Sequence, residues 1–189
     1  MSILSHVFNR NLSHVRRFNN RPLHFPESVA EHSFYVAHFV QILCQLLKAK
    51  KVKVNAEKAV NMALIHDFEE GFSGDILNPF KHYNEKVARA IAKVNEETIQ
   101  LMFEELPARF SKEFIYLWHE EQARKTIESQ VVKVADSLSL ISKCFEEIES
   151  GNTYFQEIYK KELRVLKNLN YSWWPKIRDE VLTGAEKEI

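Results

Sequence analysis

Two imidazoles and two carboxylates stand out as a set able to do chemistry: His32, the adjacent pair His66-Asp67, and Asp136. Each has an ordinary reading when taken alone. His32 shares a helical stripe with Val29 and Val36, and position alone favours a hydrogen-bonded core histidine over a ligand. His66 follows Ala59 and Ala63 on one helix face. Asp67 then lies near a helix C-terminus, where the dipole disfavours an anion unless a cation compensates. Asp136 has Val132 and Leu140 at i−4 and i+4, which leaves a salt-bridged surface Asp and a site residue both open. Taken together the four are more telling. Buried without partners they would be costly, and one divalent cation offsets that cost for all of them. Two nitrogen and two oxygen donors suit Mn, Co, Ni, Fe or Zn better than Mg or Ca. Four protein ligands at an octahedral ion leave one position for water and one for a substrate oxygen, so the chemistry expected is attack of a metal-activated water on phosphorus.

Those four side chains must be positioned by helices. Gly (4) and Pro (5) are scarce in 189 residues, which disfavours a fold of many short strands. The spacing of Leu4, Phe8, Leu12, Val15 and Phe18 predicts a helix over 2–19, broken by Asn19-Asn20-Arg21-Pro22. Ser28-Val29-Ala30-Glu31 reads as a capping box opening a helix over about 29–50, with Val29, Val36, Val40, Leu43 and Leu47 inward. Asn55 caps a third helix ending around Glu70-Gly71, and a loop follows from Phe72 to Pro79. Helices are then expected over 81–105, 111–122 and 128–149. The last of these carries the stripe Val131, Val134, Leu138, Ile141, Phe145 and Ile148. Two more should fill 153–169 and 173–187, with Ser172 as a cap and Trp173-Trp174 as core or dimer contacts. The expectation is an all-α, single-domain helical bundle over 1–189.

Composition removes several function classes. Lys plus Arg (26) balances Asp plus Glu (26), so no global field attracts a nucleic acid polymer. No apolar run approaches the roughly 18 residues of a membrane span, and no export signal is visible, so a cytoplasmic protein is expected. Cys44 and Cys144 lie within apolar helical patterns and read as reduced core residues.

Longer strings surround the four residues: Ser28-Val29-Ala30-Glu31-His32-Ser33, then His66-Asp67-Phe68-Glu69-Glu70-Gly71-Phe72-Ser73-Gly74-Asp75, then Lys133-Val134-Ala135-Asp136-Ser137-Leu138. In this order they resemble the H…HD…D signature of the HD superfamily, and specifically its YfbR-like branch, the bacterial HD-domain 5′-deoxynucleotidases. The resemblance covers about residues 5–170. It implies hydrolysis of deoxyribonucleoside 5′-monophosphates by a homodimer with Co, Mn or Cu as the activating metal, held by His32, His66, Asp67 and Asp136.

By the same resemblance Glu70 is the catalytic carboxylate, with Glu69 a rival by adjacency. Asp75 contacts substrate and is followed by Ile76, Leu77 and Asn78. Arg17 orients the phosphate, for which its planar fork of donors is suited. His32, Asp67 and Asp136 also face the substrate. The family usually has Trp directly after the Arg, where a ribose 2′-hydroxyl would sit. Here the residue is Phe18, bulky and apolar but smaller and without an indole N–H, and selectivity for deoxyribose is the property this bears on. A second expectation is an HD phosphohydrolase acting on a cyclic nucleotide or a guanosine polyphosphate, although the basic pocket a pyrophosphate would need is lacking. A third is a non-catalytic, metal-stabilised helical module.

Overall fold

In the computed structural model of the chain, which describes residues 3–185, the elements run α1 (Ile3–Val7), α2 (Val29–Ala49), α3 (Ala56–Ile65), α4 (Glu70–Ser73), α5 (Asn78–Lys81), α6 (Glu85–Glu104), α7 (Ala108–Ala123), α8 (Ile127–Glu149), α9 (Gln156–Lys167) and α10 (Arg178–Leu182). Short 3₁₀ turns lie at Asn11–Ser13, Thr153–Phe155 and Trp174–Lys176. The fold is all-α, as expected. Among the described residues no strand forms, and an isolated antiparallel bridge joins Arg16 to Ser28.

The capping box predicted at Ser28 opens α2. The Ser28 hydroxyl accepts from the Glu31 amide at 3.2 Å, and Glu31 accepts from the Ser28 amide at 2.6 Å. Val29, Val36, Val40, Leu43 and Leu47 are all buried, so the stripe read from spacing is the real one. Each such side chain contributes about 1.5–3 kcal/mol by leaving water. α2 packs on α3 and α8, and these three helices bring Met62, Ala63, Val131, Val132 and Ala135 into the same core. Trp173 and Trp174 close it at the C-terminal side: Trp173 Nε1 donates to Gln130 Oε1 at 2.9 Å and Trp174 Nε1 to the Leu166 carbonyl at 2.7 Å.

α8 corrects one expectation. Val131 and Val134 are buried, but Leu138, Ile141 and Phe145 are only half-buried and line an apolar cavity of about 640 Å³. The deeply buried face of the helix's second half is largely polar instead: Ser139, Lys143 and Glu147, continuing the row from Asp136. Their partners explain this. Glu147 accepts from the amides of His24 and Phe25 at 2.9 and 3.0 Å, and Lys143 donates to the Phe25 carbonyl. A non-helical segment needs its backbone groups satisfied, and α8 satisfies them here.

The helix predicted over 2–19 stops at Val7, and residue 2 lies outside the described residues. Asn9 Oδ1 accepts from the Asn11 amide at 3.0 Å, a local bond that competes with the helix. Beyond it the chain runs alongside the entry to α2, with Arg17 N–H donating to the Glu27 carbonyl and Val29 N–H to the Val15 carbonyl, both at 3.0 Å.

The third predicted helix also ends early, at Ile65. A tighter turn follows, with Phe68 N–H bonded to the Ile65 carbonyl and Glu70 N–H to the Asp67 carbonyl, both at 3.1 Å. The loop expected from Phe72 to Pro79 is shorter than expected, because α4 reaches Ser73 and α5 starts at Asn78. Asn84 caps α6, so the helix expected from Lys81 begins at Glu85. The helix expected over 173–187 is a 3₁₀ turn and the five-residue α10, without a Ser172 cap, and residues 186–187 lie outside the described residues.

Candidate metal centre and active site

α2 and the turn after α3 deliver the two imidazoles. The His66 ring bonds through Nδ1 to the Ala63 carbonyl at 2.8 Å, and the His32 ring through Nδ1 to Ser139 Oγ at 3.0 Å. Each outer bond fixes a ring and leaves Nε2 facing inward. The two Nε2 atoms are 3.3 Å apart. Asp67 Oδ2 lies 3.1 Å from His66 Nε2 and 3.6 Å from His32 Nε2. Asp136, from α8, places Oδ1 3.3 Å from His32 Nε2.

Donors bound to one ion at about 2.1 Å sit about 3.0–3.4 Å from one another in octahedral or tetrahedral shells. The separations in this cluster fall in or next to that range. Donor atoms of His32, His66 and Asp67 lie within 4.8 Å of one another. Two imidazole nitrogens with carboxylate oxygens therefore fit a divalent transition metal.

His66 and Asp67 are consecutive, and His66 keeps α-helical dihedrals (φ −61°, ψ −35°), so the reach of the two side chains is what brings Asp67 Oδ2 to 3.1 Å from His66 Nε2.

The electrostatics are those of a site built for positive charge. Burial would push His66 down, but Asp67 and Asp136 outweigh it and hold the ring up at about 10. Burial and Arg17 push His32 down despite Asp136. Burial opposes the charge of Asp136, yet Lys133 and the two histidines keep its carboxyl well below the usual range. Lys133 Nζ donates to Asp136 Oδ2 at 2.7 Å, so one carboxylate oxygen faces the lysine and the other His32.

Arg17 comes close to the cluster from the segment that precedes α2, with Phe18 beside it. Arg17 Nη1 donates to Glu27 Oε2 at 2.6 Å, and its guanidinium lies 5.1 Å from the centre of the Phe18 ring. Burial opposes its charge, but Glu27, Asp136 and Asp67 sustain it. Phe18 adopts φ 54°, a left-handed conformation rare for a bulky residue. Its amide donates to Asp75 Oδ2 at 3.2 Å, and its ring packs edge-on against Phe155 at 5.6 Å.

Glu70 and Glu69 are both buried but differ in company. Glu69 accepts from Trp118 Nε1 at 2.9 Å and from Asn95 Nδ2 at 3.3 Å; burial and Asp67 push its carboxyl up to about 7. No hydrogen bond ties down the Glu70 carboxyl among the described residues. Burial, Asp67 and Asp75 push it up to about 9. Glu69 thus has structural partners, while Glu70 is free to meet a ligand. Ile76 and Leu77 are half-buried and Asn78 is exposed, and among the described residues no hydrogen bond links their side chains to the metal cluster.

Lys133, Ser139 and Glu27 escaped the sequence reading although each holds a predicted residue in place. A signal for some of them existed: Asp136, Ser139, Lys143 and Glu147 are polar residues at helical spacing inside an otherwise apolar helix. Glu27 carried no such signal.

Comparison with known proteins agrees with this geometry. A family model described as 5′-deoxynucleotidase YfbR-like matches residues 6–178. The 5′-deoxynucleotidase of Vibrio vulnificus is 36% identical over 141 residues, covering 74% of this chain and 71% of that protein. The crystal structure of an HD-domain phosphohydrolase from Listeria innocua superposes with a TM-score of 0.82 at 26% identity, covering 99% of this chain and 93% of that one. The cyanophage S-2L HD phosphohydrolase, solved with dA and one catalytic Zn2+, shares the fold with a TM-score of 0.65 at 15% identity, over 99% of this chain and 98% of that one.

Proposed function

Because the chain belongs to the YfbR-like 5′-deoxynucleotidase family, we propose that it is a metal-dependent phosphohydrolase that removes phosphate from deoxyribonucleoside 5′-monophosphates. The whole of residues 1–189 is read as one catalytic domain. The observation that supports the reading most is that His32, His66 and Asp67 bring donor atoms within 4.8 Å of one another, with Asp136 Oδ1 3.3 Å from His32 Nε2, in a pocket whose field Arg17 feels. These four residues would hold the ion; Co, Mn and Cu lead, with Ni, Fe and Zn compatible with the same donors. When bound, such an ion polarises a phosphoryl oxygen and makes water a better nucleophile.

The chain's own residues supply the rest. The Arg17 guanidinium binds and orients the phosphate, its free N–H groups aimed at the oxygens on which charge grows. Glu70, buried and unpartnered, moves a proton at its carboxyl between the attacking water and the leaving 5′-oxygen. Asp75 holds the Phe18 backbone and borders the sugar, with Ile76, Leu77 and Asn78 continuing that wall. The Phe18 ring, bulky, apolar and next to Arg17, is read as the wall that disfavours a ribose 2′-hydroxyl and so favours deoxyribose.

The charge balance supports a mononucleotide over a nucleic acid polymer as partner. Among the described residues no helix is long and apolar enough to cross a membrane, in line with a cytoplasmic location. Exposed Phe72, Phe80, Tyr83 and Leu101 offer apolar surface for a homodimer.

The test is phosphate release from dAMP and AMP after chelation and re-addition of Co, Mn, Cu or Zn. Activity lost on chelation, restored by the ion and faster on dAMP is the expected result. Undiminished turnover in excess chelator overturns the metal assignment, and equal rates on both substrates remove the sugar preference.

A further inference from the structure

The bridge between Arg16 and Ser28 separates two environments. On one side Arg17 joins Glu27 and the metal cluster. On the other, Arg16 lines a second cavity of about 510 Å³ with Arg10, Ser13, Glu31, Phe34 and Tyr35. That volume lies within the ~300–1,000 Å³ usual for small-molecule sites. None of these side chains takes part in the proposed chemistry.

The lining brings together Arg10 and Arg16, a local basic pair that was not legible in the sequence. Both are exposed, and among the described residues neither lies within ion-pair distance of a carboxylate, although Arg16 adds its charge to the field on Glu31. Glu31 faces the same space, but one of its oxygens already accepts from both the amide and the hydroxyl of Ser28, at 2.6 Å each. Two guanidiniums thus share this space with one carboxylate whose Oε2 is already engaged. The Ser13 hydroxyl has no partner among the described residues and adds a donor. The lining is also aromatic: Phe34 is 64% and Tyr35 47% exposed, their rings edge-on at 5.5 Å. Large aromatic side chains left this open at helix positions beside free arginines are suited to receive a flat ring.

We propose that this cavity is a second ligand site, distinct from the metal centre, which binds a nucleoside polyphosphate with its phosphates on Arg10 and Arg16 and its base against Phe34. Arginine forks match phosphate oxygens in pairs, and an exposed aromatic face takes a base without regard to its sequence identity. No bond is made or broken there. The site stands on residues other than those of the proposed phosphohydrolase chemistry, so either can fail without the other.

The experiment is titration calorimetry of the full chain with ATP in excess chelator, which removes the metal and stops hydrolysis. The wild type, Arg10→Ala/Arg16→Ala, Phe34→Ala and Arg17→Ala are compared, with inorganic tripolyphosphate as a second probe. Arg10→Ala/Arg16→Ala is expected to weaken ATP binding about tenfold or more, while metal-loaded dAMP hydrolysis without added ATP keeps its kcat and KM. Phe34→Ala is expected to weaken ATP but not tripolyphosphate. Absence of ATP binding, binding unaffected by the double substitution, or binding abolished by Arg17→Ala overturns the site. Tripolyphosphate binding as tightly as ATP in the wild type overturns the nucleotide assignment.

Discussion

Asp75 Oδ2 accepts the Phe18 amide hydrogen at 3.2 Å, and the Asp75 carbonyl accepts from Asn19 Nδ2 at 3.4 Å. The segment after the His66-Asp67 turn is thereby tied to the loop that presents Arg17. Asp75 is thus a backbone clamp as well as a candidate substrate contact.

Replacing it separates the two roles. Asp75→Asn keeps an oxygen able to accept from Phe18, whereas Asp75→Ala leaves that amide without its acceptor. Asp75→Ala should lose about 1 kcal/mol of stability in urea denaturation and raise KM for dAMP. Asp75→Asn should stay near wild-type stability. Equal stability loss in both variants would show that the charge, not the acceptor, is what matters.

Arg17 is a sharper probe of the site. Arg17→Lys keeps a positive charge but loses the planar fork that reaches Glu27 and a phosphate together. We expect kcat/KM on dAMP to fall about 10–100-fold, the cost of losing a charge-assisted hydrogen bond, with circular dichroism unchanged. A variant with wild-type kcat/KM would remove Arg17 from phosphate binding.

Acid should attack α8 through Glu147. Burial raises its pKa, but bonds from His24, Phe25, Asn152 and Lys143 outweigh this and pull it down to about 2. In the unfolded chain a Glu titrates near 4.3. The depressed group contributes its full stability above about pH 4.3 and loses it as pH falls toward 2. Glu147→Gln should lower stability at pH 7 and flatten its dependence between pH 4.5 and 2.5, read from denaturation midpoints. A variant whose pH profile parallels the wild type would exclude Glu147 as the source.

The cysteines should be inert in the folded protein. Burial pushes Cys44 up to about 11 and Cys144 up to about 12, so neither forms thiolate at pH 8. A chromogenic disulfide reagent at pH 8 is expected to label neither in native conditions and both in denaturant. Rapid native labelling would mean that α2 or α8 opens far more readily than its packing implies.

Comparing elements shows where sequence reasoning holds. The capping box at Ser28 and the stripe of α2 were legible because both are local: four residues form the box, and helical period alone selects the buried face. The start of α8 was legible for the same reason. The run from Phe8 to Phe18 was not. Its apolar spacing imitates a helix, but the bonds that decide it join Arg17 to Glu27 and Phe18 to Asp75, ten and fifty-seven residues apart. The early end of α3 was likewise hidden, since no residue in Ile65-His66-Asp67 stops a helix, and the change is marked only by the shorter-range bonds of the Phe68 and Glu70 amides.

Residue types and order alone determined the helical class and the family and singled out the four candidate donors, because those rest on local period and on short strings that need no partner. Tertiary structure alone decided that the donors converge, that Glu70 rather than Glu69 is left unpartnered, that Lys133 and Glu27 hold Asp136 and Arg17, and that α8 buries a polar row. Each of those depends on which distant groups share the desolvated space, and burial without a partner is what makes the choice costly.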